Sequence, residues 1–241
     1  MAEQQIRFED GAAYERMMGV WSRIAGGIFL DWLAPRAGLR WVDIGCGSGA
    51  FSELLVERCA PAEVQGIDPS EAQLAFARTR PAARLAQFRQ GDAMALPFPA
   101  DSFDAAVMAL VIFFVPEPAK GVAEMVRVVA PGGTIAAYAW DMLGAGYPGE
   151  AIRAELRALW TGAGLDAIET REIAVQRSFA DFDEFWAITS SGAAICSLVA
   201  AMPTADVERL KARVREGLPP DAAGHITYTA RANAIKGRKP E

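Results

Sequence analysis

The sequence has few of the residues that build disulfide frameworks and metal sites. Its 241 residues include three cysteines and a single histidine, His225. Cys46, Cys59 and Cys196 form neither a C-x-x-C pair nor a cluster with histidine. We therefore expect no disulfide framework and no bound metal. Isolated cysteines of this kind are typical of a reduced compartment, which predicts a cytoplasmic location.

Long apolar runs and an excess of positive charge are also missing. The longest apolar run, residues 105–115, is too short to cross a bilayer and ends at Pro116. The first ten residues lack the basic and then apolar order of a signal peptide. Lys and Arg number 24 against 30 Asp and Glu, which gives a net charge of -6. This balance argues against a nucleic-acid groove and against an anionic-membrane surface, since both need clustered Lys and Arg. The oligomeric state stays open.

Between residues 40 and 140, short apolar runs alternate with helical stretches, a pattern typical of a parallel α/β sheet. Strands are predicted at 40–45, 62–68, 83–92, 103–114 and 134–140. Helices are predicted at 49–59, 69–80 and 117–129. Ser70 and Gln73 form a possible capping box for the second helix, and the Pro-Gly-Gly at 131–133 is expected to end the third.

The remaining segments predict a helix at 149–165, a half-buried strand at 166–179 and a helical stretch at 180–217, split by Gly192 and Pro203. A last strand at 224–238 alternates with period two, which indicates an antiparallel edge. The predicted fold class is α/β: a Rossmann-like, doubly wound, mostly parallel seven-stranded sheet with an antiparallel last strand and helical cap insertions.

We expect one domain over residues 1–241, because 52% hydrophobic residues supply one sizeable core and no linker is visible. Its parts are N-terminal lid helices at 1–38, a cofactor-binding core at 40–140, and the helical insertion at 180–217 as a substrate cap. In the N-terminal part, Met17, Trp21, Ile24 and Ile28 share one helix face.

Three glycines at alternate positions, Gly45, Gly47 and Gly49, follow the first strand in the stretch WVDIGCGSGAF. Glycines spaced this way bring backbone close to a ligand at the carboxyl end of a parallel sheet. Asp68 ends the second strand, where a carboxylate can bind ribose hydroxyls, although an Asp before Pro is also a turn former. Asp92 follows the third strand, where it can accept from an adenine amino group or simply form a turn. The order of these acids predicts a nucleoside-containing cofactor.

Four ordered segments carry a family resemblance over roughly residues 40–140. They are VDIGCGSGAFSELL, GIDPS, GDAMALPFPADSFDAAV and FFVPEPAKGVAEMVRVVAPGGTIAAYAW. The chain resembles the class I S-adenosylmethionine-dependent methyltransferases, in particular the small-molecule, methyltransferase type 11 branch that is similar to quinone-biosynthesis enzymes. The resemblance implies an enzyme that binds S-adenosylmethionine and releases S-adenosylhomocysteine.

The resemblance also implies which residues hold this cofactor. Asp43 and the backbone of the glycine turn would face its amino-acid part, and Asp68 its ribose. Asp92 and Ala93 would hold adenine, while the residues after strand four would lie near the methyl group. The matching positions are Asp43, Gly45, Cys46, Gly47, Asp68, Pro69, Asp92, Ala93, Ala109 and Leu110.

The family often covers its cofactor with an N-terminal helix. Tyr14, Met18 and Trp21 would then be lid residues that contact the cofactor. Trp21 fits a position in the hydrophobic core equally well.

Methyl transfer from a sulfonium is an in-line displacement with a neutral leaving group, so positioning and exclusion of water can supply most of the acceleration. A general base is needed only if the acceptor must lose a proton. The base candidates are Tyr138, Asp141, Glu150 and His225. We expect His225 to be structural or solvent-facing, and Asp141 fits a helix-capping role equally well.

Aromatic residues predict where the acceptor binds. Phe113 and Phe114 come at the end of the predicted fourth strand, and Trp186 lies in the helical stretch 180–217. A cavity lined by such rings suits an apolar or aromatic acceptor. The alternative is that the rings bury the insertion against the sheet.

Two other functions stay open at this point. An NAD-dependent oxidoreductase also uses a glycine turn and a ribose-binding acid, but its glycines run G-x-G-x-x-G, whereas Phe51 and Ser52 follow Ala50 here. A non-catalytic partner protein that binds S-adenosylmethionine is compatible as well, because the expected chemistry requires no catalytic side chain.

Overall fold

The computed structural model describes residues 19–141, 149–191 and 193–241. The predicted lid residues Tyr14 and Met18, the helix-face residue Met17, and the predicted helix break at Gly192 lie outside the described residues. Of the three predicted lid residues, Trp21 is the one that the structure describes.

Seven strands form one sheet. They are β1 (Arg40–Ile44), β2 (Glu63–Asp68), β3 (Ala86–Gln90), β4 (Phe103–Ala109), β5 (Val129–Trp140), β6 (Asp166–Phe179) and β7 (Ile226–Arg238). Their order across the sheet is β3-β2-β1-β4-β5-β7-β6. Neighbours among β1 to β5 pair in parallel, and β7 is antiparallel to both β5 and β6. The predicted fold class, including the antiparallel last strand, is confirmed.

The helices lie where the sequence periodicity indicates, with shorter ends in places. They are α1 (Val20–Leu33), α2 (Ala50–Cys59), α3 (Glu71–Ala77), α4 (Pro118–Val128), α5 (Gly149–Gly162), α6 (Phe182–Ser190), α7 (Ala193–Ala201) and α8 (Thr204–Glu216). The Ser70 hydroxyl accepts from the backbone N–H of Gln73 at 3.4 Å, which is one half of the expected capping box. Within the described ranges, the helices lack either the length or the apolar character that crossing a bilayer requires.

Alternate residues of the central strands enter two different cores. Trp41 of β1 belongs to the core that contains Phe29 of α1 and Phe51 of α2. The next residue, Val42, belongs to the core on the other face, which contains Met125 of α4. Both faces of the parallel strands are therefore covered by helices, as their continuous apolar sequence requires. A ligand can approach these strands at the carboxyl edge of the sheet.

The fourth strand ends at Ala109, and the predicted end at residue 114 is wrong. Leu110 adopts a φ of 65° and donates its N–H to the Tyr138 carbonyl oxygen at 2.8 Å, so the chain turns away from the ladder. Phe113 and Phe114 follow in a short 3-10 turn.

Helix α4 ends before the Pro-Gly-Gly at 131–133 that was expected to terminate it. Val129 pairs with Phe103 of β4, and the Lys239 ammonium donates to the Val129 carbonyl oxygen at 2.9 Å. Tertiary pairing of a β-branched residue thus ends the helix earlier than its breaker sequence does.

The most deeply buried face of helix α1 lies next to the apolar face that the sequence predicts. Trp21, Ile24 and Ile28 are half-buried, whereas Ala25 and Phe29 are fully buried. The deep face is the one that contacts α2 and the sheet.

Strands β6 and β7 continue past the end of β5. Residues 226–231 of β7 pair with residues 174–179 of β6, while the last pair between β5 and β7 is Trp140 with Ala232. Phe182 and Phe185 of α6 pack on this ribbon, in a small core with Phe179. The helices of the 180–217 stretch are therefore attached beyond the carboxyl edge of the sheet.

The close contact between β2 and β3 gives a first testable prediction. A Cβ atom on Gly66 would lie 2.5 Å from Cδ1 of Phe88 and 3.0 Å from Sγ of Cys46. Because both neighbours are buried, Gly66→Ala should lower the free energy of unfolding by about 1–3 kcal/mol in urea titrations.

Gly162→Ala is the matched control for this prediction. Apart from the local helix backbone and the sequence neighbours, no atom of the described residues lies within 4 Å of a Cβ built on Gly162. This variant should be as stable as the wild type. Equal stability of Gly66→Ala and Gly162→Ala would contradict the packing described for β2.

Candidate functional site

The glycine turn after β1 is held against the end of β2 by backbone hydrogen bonds. The N–H groups of Gly45 and Cys46 both donate to the Ile67 carbonyl oxygen, at 2.7 and 3.0 Å. Gly45, Gly47 and Gly49 have φ values of 71°, 51° and 79°, which favour glycine. The alternating glycines thus give a turn that a chain of larger residues could not adopt without strain.

The space around the turn differs from one glycine to the next. A Cβ on Gly45 would lie 2.5 Å from the Cγ atoms of Val111, which follows β4. For Gly47, the described part of the chain places no atom within 4 Å of the same position, apart from the glycine itself and its two neighbours in sequence. The turn is therefore packed against the end of β4 at Gly45 and has room for a ligand at Gly47.

Asp68 connects this turn to the start of α3. Its Oδ2 accepts from the N–H of Gly47 at 2.9 Å, and its Oδ1 accepts from the N–H of Ser70 at 2.8 Å. Burial raises the pKa of Asp68, and the two backbone donors partly offset this effect. The carboxylate is thus fixed at the edge of the sheet, next to the glycine turn. Pro69, also predicted for the cofactor, accepts from the Gln90 amide through its carbonyl oxygen at 2.8 Å.

Asp43 is fully buried beneath the turn. Its Oδ2 accepts from the Ser52 hydroxyl at 2.6 Å, and its Oδ1 has no hydrogen-bond partner among the residues that the structure describes. Burial raises the pKa of Asp43 to about 7; the Ser52 hydroxyl opposes this shift and the nearby Asp68 adds to it. A buried acceptor without a partner is costly, so Oδ1 suits a ligand that donates or carries positive charge.

Cys46 lies between these two acids in the turn. Its side chain is buried, and burial together with the charges of Asp43 and Asp68 raises the pKa of its thiol. The thiol therefore stays protonated at neutral pH, and its contribution to the site is through its size and its backbone.

Asp92 and Ala93 follow β3 on the same edge. The Asp92 carboxylate accepts from the N–H of Met94 at 2.8 Å, and its carbonyl oxygen accepts from the N–H of Ala95 at 3.1 Å. This is the turn-forming role that was weighed against adenine binding. The N–H of Gly91, one residue earlier, donates to the carbonyl oxygen of Asp68 at 3.2 Å, so the loop adjoins the end of β2.

Ala109 and Leu110 lie at the end of β4, next to the glycine turn. Leu110 is buried, and the residue after it, Val111, makes the contact with Gly45. The structure thus brings the predicted residues of β1, β2 and β4 to one edge of the sheet.

The base candidates are far from equivalent in their surroundings. The Tyr138 ring is completely buried, with its centroid 4.7 Å from that of Phe29. His225 is exposed in the turn before β7, with Nδ1 3.5 Å from Oδ2 of Asp221. Glu150 is exposed in the first turn of α5. Asp141 is half-buried directly after β5, at the carboxyl edge of the sheet, and its side chain lies near those of Arg153 and Asn233.

The aromatic candidates lie on separate elements. Trp21 contacts Trp140 and Tyr228 edge-on, with centroid distances of 6.3 and 6.0 Å, so it adjoins the end of β5 and the ribbon. Trp186 stacks on Phe182 of the same helix. Phe113 and Phe114 are exposed by 45% and 53% in the turn after β4. The three predicted substrate-binding residues, Phe113, Phe114 and Trp186, do not form one cluster in the part of the chain that the structure describes.

Sequence reasoning missed several residues that shape the site. Ser52 and Val111 contact Asp43 and Gly45, and Arg80 donates from Nη1 to Glu53 at 2.8 Å and from Nε to the Ser48 carbonyl oxygen. Ser52 stands nine positions after Asp43, but no sequence signal separates it from an ordinary helix residue. The described ranges contain no group of three or more His, Cys, Asp or Glu residues that could hold a metal ion.

The burial of Asp43 predicts a specific pH dependence of stability. Its pKa is raised from the usual 3.8 to about 7, so the protonated form is favoured in the folded state. Stability is therefore greatest at low pH as far as this group is concerned, and is lost as pH rises towards 7, by up to about 1.4 kcal/mol per pH unit. Asp43→Asn removes this dependence.

The measurement is the free energy of unfolding of both proteins in urea between pH 4.5 and 8. The difference between variant and wild type should shift in favour of the variant up to pH 7 and then stay constant. Parallel curves over this range would contradict the assigned burial of the carboxylate.

Comparison with known proteins identifies the core of the chain. A family model described as a methyltransferase domain matches residues 42–137. The ubiquinone/menaquinone biosynthesis C-methyltransferase UbiE of Dinoroseobacter shibae is 36% identical over 123 residues, which cover 49% of each chain. The demethylmenaquinone methyltransferase of Desulfitobacterium hafniense is 39% identical over 105 residues, 42% of each chain. The chain thus spans about half the length of the curated relatives that it matches.

Solved structures share the fold at low sequence identity. The YcgJ protein of Bacillus subtilis superposes with a TM-score of 0.63 at 20% identity and covers 90% of this chain and 98% of its own. Phosphoethanolamine N-methyltransferase 2 of Haemonchus contortus, solved in complex with S-adenosyl-L-methionine, has a TM-score of 0.64 at 18% identity, over 99% of this chain and 59% of its own. Neither the oxidoreductase nor the non-catalytic alternative is favoured by these matches. Residues 42–137 thus match a methyltransferase domain, and the chain shares its fold with a solved methyltransferase that binds S-adenosylmethionine.

Proposed function

We propose that this protein transfers the methyl group of S-adenosylmethionine to a small apolar or aromatic acceptor of the quinone type. The observation that carries the proposal is the Asp43 carboxylate, buried beneath a glycine turn with one oxygen that has no partner within the described residues. The names of the matched relatives, which methylate quinone precursors, support the acceptor class.

The residues at the carboxyl edge fit this cofactor. The unpartnered oxygen of Asp43 suits an ammonium group, because a buried carboxylate gains most from a charged donor. The space above Gly47 admits the amino-acid part, and Asp68 lies beside it at the end of β2, within reach of a ribose. Asp92 and Ala93 continue the same edge towards the position expected for adenine.

When bound, S-adenosylmethionine supplies an electrophilic methyl group on a sulfonium. The chain's own contribution is then to orient the acceptor and to exclude water. Leu110 and Val111 make the floor apolar next to the glycine turn, and Trp21 covers the end of β5 with Trp140. These apolar side chains exchange no proton. When a ring carbon is methylated, its proton passes to water or to a base at the carboxyl edge, where Asp141 is the candidate.

The helices of the 180–217 stretch serve as the substrate cap in this proposal. They are carried by the ribbon of β6 and β7, which continues past the carboxyl edge. The rings of Phe185 and Tyr228 lie 5.8 Å apart, and Tyr228 in turn contacts Trp21. An aromatic path therefore connects the cap with the edge where the cofactor residues meet, and the whole chain acts as one functional domain.

Asp68 provides the test of cofactor binding. Asp68→Ala should weaken the binding of S-adenosylmethionine by about 1–3 kcal/mol in calorimetry, because charged hydrogen bonds to the ribose are lost. Asp31→Ala is the control, since Asp31 is exposed and pairs with Arg58 near the opposite end of α2 from the glycine turn. Equal affinities of Asp68→Ala and the control would refute the proposed role.

Methyl transfer itself is tested with methyl-labelled S-adenosylmethionine and a panel of hydroquinones, phenols, amines and carbon acids. We expect label on a ring carbon of a hydroquinone, detected by mass spectrometry. His225→Gln should keep turnover within a few-fold, because the imidazole is exposed in a turn with Asp221. Transfer to amines alone would contradict the acceptor class, and a loss of several orders of magnitude in His225→Gln would make this histidine catalytic.

A further inference from the structure

Three polar side chains from three elements meet beside the start of α5. Asp141 follows β5, Arg153 lies in α5 and Asn233 lies in β7. A Cβ on Gly149 would lie 3.2 Å from Nη1 of Arg153, 3.4 Å from Oδ1 of Asn233 and 3.6 Å from Oδ2 of Asp141. All three side chains therefore approach one point, and a larger residue at 149 would crowd them.

The orientation of the Asn233 amide is determined by Arg153. Nη1 of Arg153 donates to Oδ1 of Asn233 at 2.8 Å, and a guanidinium cannot accept. The amide nitrogen must therefore point the other way. Asn233 is only 1% exposed, and its Nδ2 has no hydrogen-bond partner in the described ranges. A buried donor without an acceptor is unfavourable unless a ligand supplies one.

Asp141 presents the complementary unmet group. Its backbone N–H donates to the Arg231 carbonyl oxygen at 2.8 Å, which fixes the residue at the end of β5. Its Oδ1 is buried and lacks a donor among the described residues. The two side chains that carry an unmet donor and an unmet acceptor thus both approach the Cβ position of Gly149.

The cluster is well placed relative to the proposed cofactor site. Asp141 follows β5, whose Tyr138 pairs with Ala109 at the end of β4. Val111, two residues after Ala109, packs against Gly45 in the glycine turn. Adjacent strands lie about 4.8 Å apart, so the cluster is on the same edge, about two strands from the glycine turn.

We propose that Asn233 and Asp141 bind a hydroxyl group of the methyl acceptor, an inference that rests on the proposed function. A hydroxyl oxygen accepts from Nδ2 of Asn233, while its O–H donates to Oδ1 of Asp141. A phenol or hydroquinone can satisfy both groups at once, whereas an aryl ether or a quinone carbonyl can only accept. The pair therefore selects the hydroxylated form of an aromatic acceptor.

Arg153 is a positioning residue in this site. It holds Asn233 through one hydrogen bond, and its Nη1 lies 3.5 Å from Oε2 of Glu172 on β6. This second contact limits the charge that Arg153 brings to the hydroxyl and keeps the guanidinium on the far side of the amide.

The test compares the binding of 1-naphthol and 1-methoxynaphthalene to the full chain, in the presence and absence of saturating S-adenosylhomocysteine. Wild type should bind 1-naphthol at least about tenfold more tightly than the ether. Asp141→Ala should lose this preference while affinity for the ether stays the same, and Asn233→Asp, which keeps an oxygen towards Arg153, should weaken the binding of both probes. Asp221→Asn, in the exposed turn beside His225, should keep it. Melting temperatures show that the variants are folded.

Equal binding of both probes to the wild type, an unchanged preference in Asp141→Ala, or unchanged affinity for both probes in Asn233→Asp would overturn the hydroxyl site. The failure of the proposed function gives a different result, because the labelled-methyl assay would then yield no methylated hydroquinone. The naphthol preference, measured without S-adenosylhomocysteine, still decides the hydroxyl site in that case.

Discussion

The hydrogen bonds that join the glycine turn to the end of β2 are the constraint on which the site depends. The Asp68 carboxylate accepts from Gly47 and Ser70, and the Ile67 carbonyl accepts from the two residues that begin the turn. These bonds fix three segments that are distant in sequence. The Gly45 contact with Val111 then brings the end of β4 to the same place. A nucleoside cofactor needs this convergence, because its parts contact several strand ends at once.

The same region holds features that oppose stability. Asp43 is completely buried with one unmet oxygen, and burial raises its pKa to about 7. Asn233 in β7 and Asp141 after β5 leave a donor and an acceptor without partners among the described residues. Natural proteins accept such local penalties where a ligand resolves them. The two aliphatic and aromatic cores around the sheet supply the stability that makes these groups tolerable.

Several expectations were met because local signals and tertiary packing agree. Alternation and helical periodicity gave the elements between Arg40 and Trp140, and the antiparallel last strand followed from its period-two pattern. The misses have a common cause. The end of β4 at Ala109 and the end of α4 at Val128 depend on pairing with β5 and β4, which overrides the apolar run and the Pro-Gly-Gly signal. Tyr138 is one of the four base candidates from the sequence, but its position in β5 directs its side chain into the core.

The sequence by itself determined the order of strands and helices, the glycine turn and the acids at the strand ends, because these depend on residue type and short spacing. Only the tertiary structure decided which distant residues meet. Asp141 and Asn233 are 92 positions apart, and Arg153 comes from a third element. Their approach to one point beside Gly149 follows from the pairing of β5 with β7 and the packing of α5 on β7. Side-chain convergence of this kind is a property of the folded sheet, and no local pattern in the chain contains it.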